Sequence, residues 1–396
     1  MPSFKQRLAS IDVFRALTMF LMIFVNDLWS LTNIPQWLEH TEAAEDGMGL
    51  ADVVFPAFLF IVGLSIPFAI GNRWSKGASQ TNILGHILVR SLALLVMGLF
   101  HVNLESYNSE AALLPKTIWE ILLTISFFLI WLDYSPTLSK QKRYLLQGAG
   151  IALLAFLAIV YKGGETGNTV WLQKHWWGIL GLIGWSYLLS SLVFLFTKGK
   201  LPLLIGALVF FTLFNIAAHA GWLHWLQPVR PYIWITGDGS SPALTMAGIV
   251  TAVLYSSLAE KGRYNSCFII LLVFGVVMLA GGFAVRPLGG ISKIRATPSW
   301  VMICTGISIL FFTALIWLVD RKHKQNWFAI IKPAGTSTLT AYLLPYIVYP
   351  LYVLIGISFP VFLLNGFVGL LKSLVFALLI ILLTGLLEKW RIRLKI

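Results

Sequence analysis

Residues 266–284 read SCFIILLVFGVVMLAGGFA, a run of 19 residues that contains no charged side chain. A helix needs about 20 mostly apolar residues to cross the hydrocarbon core of a bilayer, so this run is long enough for one crossing. Lipid offers no partner to a backbone N–H or C=O, and the run lacks the alternation of a membrane strand. The run therefore predicts a transmembrane α-helix.

Comparable apolar runs recur along the whole chain and predict an all-α polytopic membrane protein with about twelve transmembrane helices. Because the turn at 357–360 is short, eleven spans remain an alternative to twelve. No loop is long enough to hold a core of its own, so we expect a single integral-membrane domain over residues 1–396. The predicted spans are roughly 11–30, 51–70, 84–102, 117–133, 144–161, 177–196, 202–220, 242–258, 266–284, 299–318, 334–356 and 361–387.

Basic residues alternate between the predicted loops in the pattern of a membrane protein. If the N-terminus is cytoplasmic, 19 of the 29 Lys and Arg fall in inner segments, 7 in outer loops and 3 within spans. Because cytoplasmic loops collect positive charge, this distribution predicts cytoplasmic termini and a multi-pass protein of a bacterial inner membrane. The net charge of +13 is explained in the same way, so lipids rather than nucleic acid are the expected partners.

Polar residues follow one face of the first predicted span. Asp12, Arg15 and Asn26 share that face with methionines at 3/4 spacing, and the face runs about 21 Å along a helix. Asp12 and Arg15 stand three residues apart and are expected to pair. Charges in a span are costly and usually have a function, although this pair would also serve simply to anchor the inner end of the helix.

The loop after the first span combines a histidine with several carboxylates. Asn26 and Asp27 end the span, His40 lies in a loop with four acidic residues and no Lys or Arg, and Asp52 opens the second span. A carboxylate beside His40 would fix the tautomer of the imidazole, as a general base requires. The alternative is an ordinary solvated loop histidine.

A second outer loop departs from the charge rule, because it carries Arg286, Lys293 and Arg295. These residues are expected either to bind an anionic acceptor or to contact anionic lipid headgroups. No phosphate-binding glycine loop and no His or Cys cluster with metal-ligand spacing occurs in the sequence, so no metal is expected.

Several of these segments resemble the heparan-alpha-glucosaminide N-acetyltransferase family and its bacterial relatives. Residues 10–19 (SIDVFRALTM) and 22–26 (MIFVN) resemble the first family motif, and residues 51–63 (ADVVFPAFLFIVG) closely resemble a second. Arg90-Ser91 with Gly98 and Asn103 resembles the next family helix. The clear resemblance covers residues 8–105, whereas residues 292–300 and 335–342 match more loosely.

The resemblance implies a multi-helix acetyltransferase that takes an acetyl group from cytosolic acetyl-CoA. The acceptor would be an amino sugar or an envelope glycan across the membrane. His40 falls on the family's active-site histidine and Asn26 on its active-site asparagine, while Asp52 falls on a family aspartate that would orient His40. Arg15 and Arg90 lie toward the predicted cytoplasmic side, where they would meet the phosphates of CoA.

The acceptor side is less well matched. The family's PGVLQR helix is represented only by residues 114–120 (LPKTIWE), and Ala16 replaces the usual glycine of the first motif. The side chains expected on the acceptor side are Asp27, Glu120, Arg286, Lys293 and Arg295. No residue in the sequence decides between N- and O-acetylation. None decides whether the protein forms a homodimer.

Two other classes of protein fit the same residues. A transporter or flippase of sugars or lipid-linked sugars would also line a membrane path with Asp12, Arg15 and Asn26, but would not need acetyl-CoA. A structural protein of the envelope would tolerate the loss of both His40 and Asn26. Within the enzymes, a polysaccharide O-acetyltransferase is the near alternative.

Overall fold

The computed structural model describes residues 8–228 and 237–396, and α-helices make up most of this part of the chain. Lys5, Arg7 and Arg230, which contributed to the predicted orientation, lie outside it. A short antiparallel hairpin joins β1 (Gly163–Glu165) to β2 (Asn168–Val170). The helices are α1 (Ala9–Asp27), α2 (Leu50–Ser75), α3 (Gln80–Val102), α4 (Lys116–Trp131), α5 (Lys140–Val160), α6 (Ile179–Phe196), α7 (Leu201–His219), α8 (Ser240–Ala259), α9 (Tyr264–Ala284), α10 (Pro298–Leu315), α11 (Lys332–Thr336), α12 (Thr338–Leu343), α13 (Pro345–Ile355) and α14 (Gly366–Lys389).

The predicted fold class is confirmed: the chain is an all-α polytopic membrane protein. Eleven segments of the described residues are long and apolar enough to cross a membrane, and they coincide with eleven of the twelve predicted spans to within a few residues. The remaining predicted span, 117–133, corresponds to α4, which has only 16 residues. The predicted span 334–356 is broken near Ser337, between α11 and α12, and Gly356 ends α13 in a left-handed conformation. The orientation of the termini remains a prediction.

Contacts along the chain group the residues into two compact units. Among the described residues, the first unit comprises 8–18, 35–92, 182–228 and 237–329, and the second comprises 19–34, 93–181 and 330–396.

The first unit is built around α2, which packs mainly against α8. Two glycines make this contact possible, because a Cβ atom on Gly63 would collide with the carbonyl oxygen of Thr245, and one on Gly248 with that of Phe60. Small residues allow such close backbone approach between membrane helices. The fully buried side chains around this contact include Phe60, Leu64, Met246, Ile249 and Phe312.

The second unit contains a buried ion pair. The Nζ of Lys372 in α14 donates to Oδ2 of Asp27 at 2.7 Å, and the hydroxyl of Ser373 donates to the same oxygen at 2.7 Å. The hydroxyl of Tyr349 donates to Oδ1, also at 2.7 Å. Both carboxylate oxygens are therefore satisfied, as a buried charge requires.

Replacing Lys372 by methionine should strongly destabilise this unit. The change leaves the Asp27 carboxylate buried without its counter-charge, and breaking one side of such a pair costs about 3–5 kcal/mol. We expect a lower midpoint of thermal unfolding in detergent. The double variant Asp27→Asn/Lys372→Met should recover part of the loss, because it removes both charges, and an unchanged midpoint in the single variant would contradict this account.

Candidate functional site

The imidazole of His40 is bound to the carboxylate of Asp52 in the first unit. His40 Nδ1 lies 2.6 Å from Oδ1 of Asp52, whose side chain is 1% exposed, while that of His40 is 47% exposed. A carboxylate can only accept, so in the neutral imidazole Nδ1 carries the proton and Nε2 has the lone pair. The pair thus has the arrangement of a general base held by an orienting carboxylate.

The local fold explains why Asp52 occupies this position. Asp52 lies in the first turn of α2, where the backbone N–H groups have no partner within the helix. Its Oδ2 accepts the backbone N–H of Gly49 and that of Thr41, each at 3.0 Å. One carboxylate therefore caps the helix, folds the preceding loop back and holds His40.

The main chain of Asp52 is fixed by a separate contact. Because Pro56 has no N–H, the carbonyl of Asp52 lacks the donor that a helix would normally supply four residues later. The indole Nε1–H of Trp300, in α10, donates to that carbonyl at 3.0 Å instead. The first turn of α2 is thereby attached to α10.

Lys293 is the third side chain at this place. Its Nζ lies 3.3 Å from Nε2 and 3.2 Å from Nδ1 of His40, and 4.0 Å from Oδ1 of Asp52. The nearly equal distances put Nζ off the axis of the Nε2 lone pair. Burial lowers the pKa of Lys293 below its usual value, against the opposing effect of the Asp52 charge. The lysine side chain is 26% exposed, so it is still reachable from outside the protein.

An ion pair ties the loop of His40 to the loop of Lys293. Asp46 accepts the Ile291 N–H at 2.7 Å and the Arg286 Nε at 2.9 Å. These two hydrogen bonds hold the pKa of Asp46 below its usual range. Asp46 therefore holds the loop that carries His40 against the loop that carries Lys293.

Replacing Gly49 by alanine should displace the His40 loop. A Cβ atom at this position would collide with the carbonyl oxygen of Glu39 and lie 3.1 Å from that of Trp37. Both obstacles are backbone atoms, so the loop itself must move, and with it the histidine that follows Glu39. We expect faster amide hydrogen exchange at Thr41, whose N–H is held by Asp52, with little change in thermal stability, whereas Gly47→Ala, which meets only a methyl group at 3.8 Å, should leave this exchange unchanged. Equal exchange in the two variants would contradict this expectation.

A family model described as a domain of unknown function (DUF5009) matches residues 7–236, more than half of the chain. The chain belongs to the DUF5009 family. The DUF5009 chain is also similar to heparan-alpha-glucosaminide N-acetyltransferase from Homo sapiens, with 37% identity over 101 residues, and to that from Mus musculus, with 36% identity over the same length. Each match covers 24% of this chain and 14% of the relative's own length. The resemblance predicted from the motifs is thus confirmed.

The other predicted catalytic residue of the DUF5009 protein, Asn26, belongs to the second unit. Its side chain is exposed and meets no hydrogen-bond partner among residues 8–228 and 237–396. Asp27, predicted on the acceptor side, is buried in the ion pair with Lys372. Glu120 is half-buried on α4. A catalytic role for Asn26 and acceptor contacts of Asp27 and Glu120 stay predictions.

The two arginines predicted to bind CoA both lie in the first unit. Arg15 pairs with Asp12 at 3.2 Å, as the spacing predicted, and also donates to the hydroxyl of Ser65 at 2.7 Å. The guanidinium of Arg90 lies 4.9 Å from the ring centre of Tyr187, and its buried Nε has no hydrogen-bond partner in the described part of the chain. CoA binding by either arginine stays a prediction.

Of the basic residues predicted on the acceptor side, Lys293 contacts His40 and Arg286 is bound by Asp46. Arg295 is exposed, and its carbonyl oxygen lies 3.0 Å from Nε2 of His219. Sequence reasoning missed the indole of Trp300 and the two backbone N–H groups on Asp52. Pro56 was the available signal for Trp300, because it leaves a carbonyl near the start of α2 without its donor.

Proposed function

We propose that this DUF5009 protein is a transmembrane acetyltransferase of the bacterial inner membrane. It would move an acetyl group from cytosolic acetyl-CoA to the amine of an amino sugar or glycan on the periplasmic side. The observation that carries the proposal is the His40–Asp52 pair, in which Nδ1 is held by a buried carboxylate and Nε2 keeps its lone pair. The similarity to two N-acetyltransferases over 101 residues supports this choice of reaction.

In the proposed reaction, His40 is the general base. Its Nε2 takes the proton from the acceptor amine as the nitrogen attacks the thioester carbonyl, and later returns it to the CoA thiolate. Asp52 stabilises the imidazolium that forms and keeps the ring in its productive tautomer. General-base catalysis of this kind contributes roughly 10²–10⁴-fold to a rate.

Two further groups complete the proposal. From the family resemblance, the amide of Asn26 would donate to the carbonyl oxygen as it becomes anionic. Arg15 and Arg90 would hold the phosphates of CoA, since guanidinium groups form strong hydrogen bonds to phosphate oxygens.

The direct test is acetyl transfer by the full chain purified in detergent or nanodiscs. The protein is incubated with acetyl-labelled CoA and a panel of amino sugars, hydroxyl-bearing glycans and a buffer blank. We expect label on an amine and release of free CoA thiol in equal amounts. Label only on hydroxyl groups would identify an O-acetyltransferase, and absence of both transfer and acetyl-CoA binding would count against an acetyltransferase and favour a transporter.

Replacing Asn26 by alanine tests its assignment to the oxyanion. Loss of one such donor lowers kcat by roughly 10²–10³-fold. We expect this loss with nearly unchanged KM for both substrates, measured by steady-state kinetics. A rise in KM with normal kcat would instead make Asn26 a residue that binds the acceptor in its ground state.

A further inference from the structure

Lys293, His40 and Asp52 form a chain of contacts from an amine through an imidazole to a carboxylate. Asp52 accepts the proton of Nδ1, so Nε2 is the only ring nitrogen that can accept a hydrogen bond from Nζ, 3.3 Å away. A nucleophile, a base and an orienting carboxylate follow the same order in serine hydrolases, where a hydroxyl takes the first place. Here that place is taken by a primary amine of the protein itself.

We propose that Lys293 is a site of self-acetylation: its ε-amine occupies the place of the acceptor amine and takes the acetyl group from acetyl-CoA when no acceptor is bound. This inference rests on the proposed function, because it uses the same donor and the same base. It assigns to Lys293 a role other than the expected contact with an anionic acceptor.

The surroundings of Lys293 favour such reactivity. Only an unprotonated amine attacks a carbonyl, and burial lowers the pKa of this lysine, so that a larger fraction is neutral than for an exposed lysine at the same pH. Lysine is activated as a nucleophile in other proteins by the same desolvation. The flexible four-carbon stem of lysine allows Nζ to change its position relative to the imidazole.

The chemistry balances without any additional reactant. The neutral amine of Lys293 forms a bond to the acetyl carbon, and His40 Nε2 takes the proton that the nitrogen loses. The bond between that carbon and sulfur then breaks, the electron pair leaves with sulfur, and the proton passes from His40 to the CoA thiolate. The products are an N-acetyl-lysine and free CoA thiol.

This modification would limit the activity of the protein. An acetylated Lys293 is an amide, which is neither a base nor a cation and is stable to hydrolysis under ordinary conditions. It would remain next to Nε2 of His40, and its acetyl group would obstruct the approach of an acceptor amine to that nitrogen. Acetyl-CoA in excess over acceptor would therefore inactivate the protein, because each molecule acetylates its own Lys293.

The test is peptide mass spectrometry on the full chain after incubation with acetyl-CoA and no acceptor. We expect one acetyl group on Lys293, gained at least about tenfold faster than on Lys174, an exposed lysine of another predicted outer loop. The His40→Ala variant should lose this difference, because the base is gone, and in wild-type protein the loss of transfer activity should follow the fraction of Lys293 that is acetylated. Equal rates at Lys293 and Lys174 would overturn the inference.

A second donor separates this inference from the proposed function. Para-nitrophenyl acetate carries an activated acetyl group and needs no CoA-binding residues. Selective, His40-dependent labelling of Lys293 by this ester but not by acetyl-CoA would keep the reactive lysine and reject acetyl-CoA as donor. Normal acetyl transfer to an external amine with Lys293 unmodified by either donor would keep the function and reject self-acetylation.

Discussion

Replacing His40 by alanine is expected to lower kcat for acetyl transfer by roughly 10²–10⁴-fold, because the variant loses its general base. The variant removes Nε2, the nitrogen proposed to act as the base, together with Nδ1, which is bound to the Asp52 carboxylate. Binding of acetyl-CoA should be nearly unchanged, because the residues proposed for the CoA phosphates lie elsewhere on α1 and α3. Steady-state kinetics and equilibrium binding on the purified variant measure the two effects separately.

The matched control is His224→Ala. His224 is an exposed histidine that follows α7, so its loss removes an imidazole without touching the Asp52 carboxylate. We expect normal turnover and a normal unfolding midpoint for the control. Near-normal turnover of purified His40→Ala would mean that His40 is not the base.

Replacing Asp52 by asparagine is expected to lower kcat by roughly 10³–10⁴-fold while the protein stays folded. The amide oxygen of asparagine can still accept the N–H groups of Thr41 and Gly49, which preserves the cap of α2. Its NH₂ group, however, faces Nδ1 of His40 and can only donate to it. The imidazole must then carry its proton on Nε2, the wrong nitrogen for a base.

Two observations distinguish this explanation from a simple loss of structure. The Asp52→Asn variant should keep its KM and its thermal midpoint, whereas Asp52→Ala should lose stability as well, because two buried N–H groups are left without an acceptor. If Asp52→Asn kept more than about a tenth of the wild-type kcat, the tautomer argument would be wrong.

Hydropathy alone predicted the membrane-spanning helices. A long apolar run can cross the bilayer, and unpaired backbone N–H and C=O groups are too costly in lipid for any form of that run other than a helix. The same pattern predicted the Asp12–Arg15 pair, since neighbours three residues apart on a helix are fixed in space by helix geometry. The resemblance added the partnership of His40 with Asp52, which stand only 12 residues apart and are joined by one loop.

Contacts between distant parts of the chain could not be predicted in this way. Lys293 reaches His40 across 253 residues, and Arg286 reaches Asp46 across 240. A hydropathy profile indicates the depth of a residue in the membrane, but not which helices are neighbours or which way each one faces. It therefore cannot predict which outer loops are in contact. For the same reason Lys372, seen only as an isolated charge within a span, could not be assigned to Asp27, 345 residues away.

Asp52 both caps α2 and binds His40, and these two roles bear on how related sequences should be classified. A homologue that has lost catalytic activity would still need a side-chain oxygen at this position, from aspartate or asparagine, to close the first turn of α2 and hold the loop, whereas the cap and the loop place no such demand on the histidine. An aspartate at this position without the histidine therefore indicates only common ancestry. A histidine at the position of His40 is the better indicator of an active enzyme.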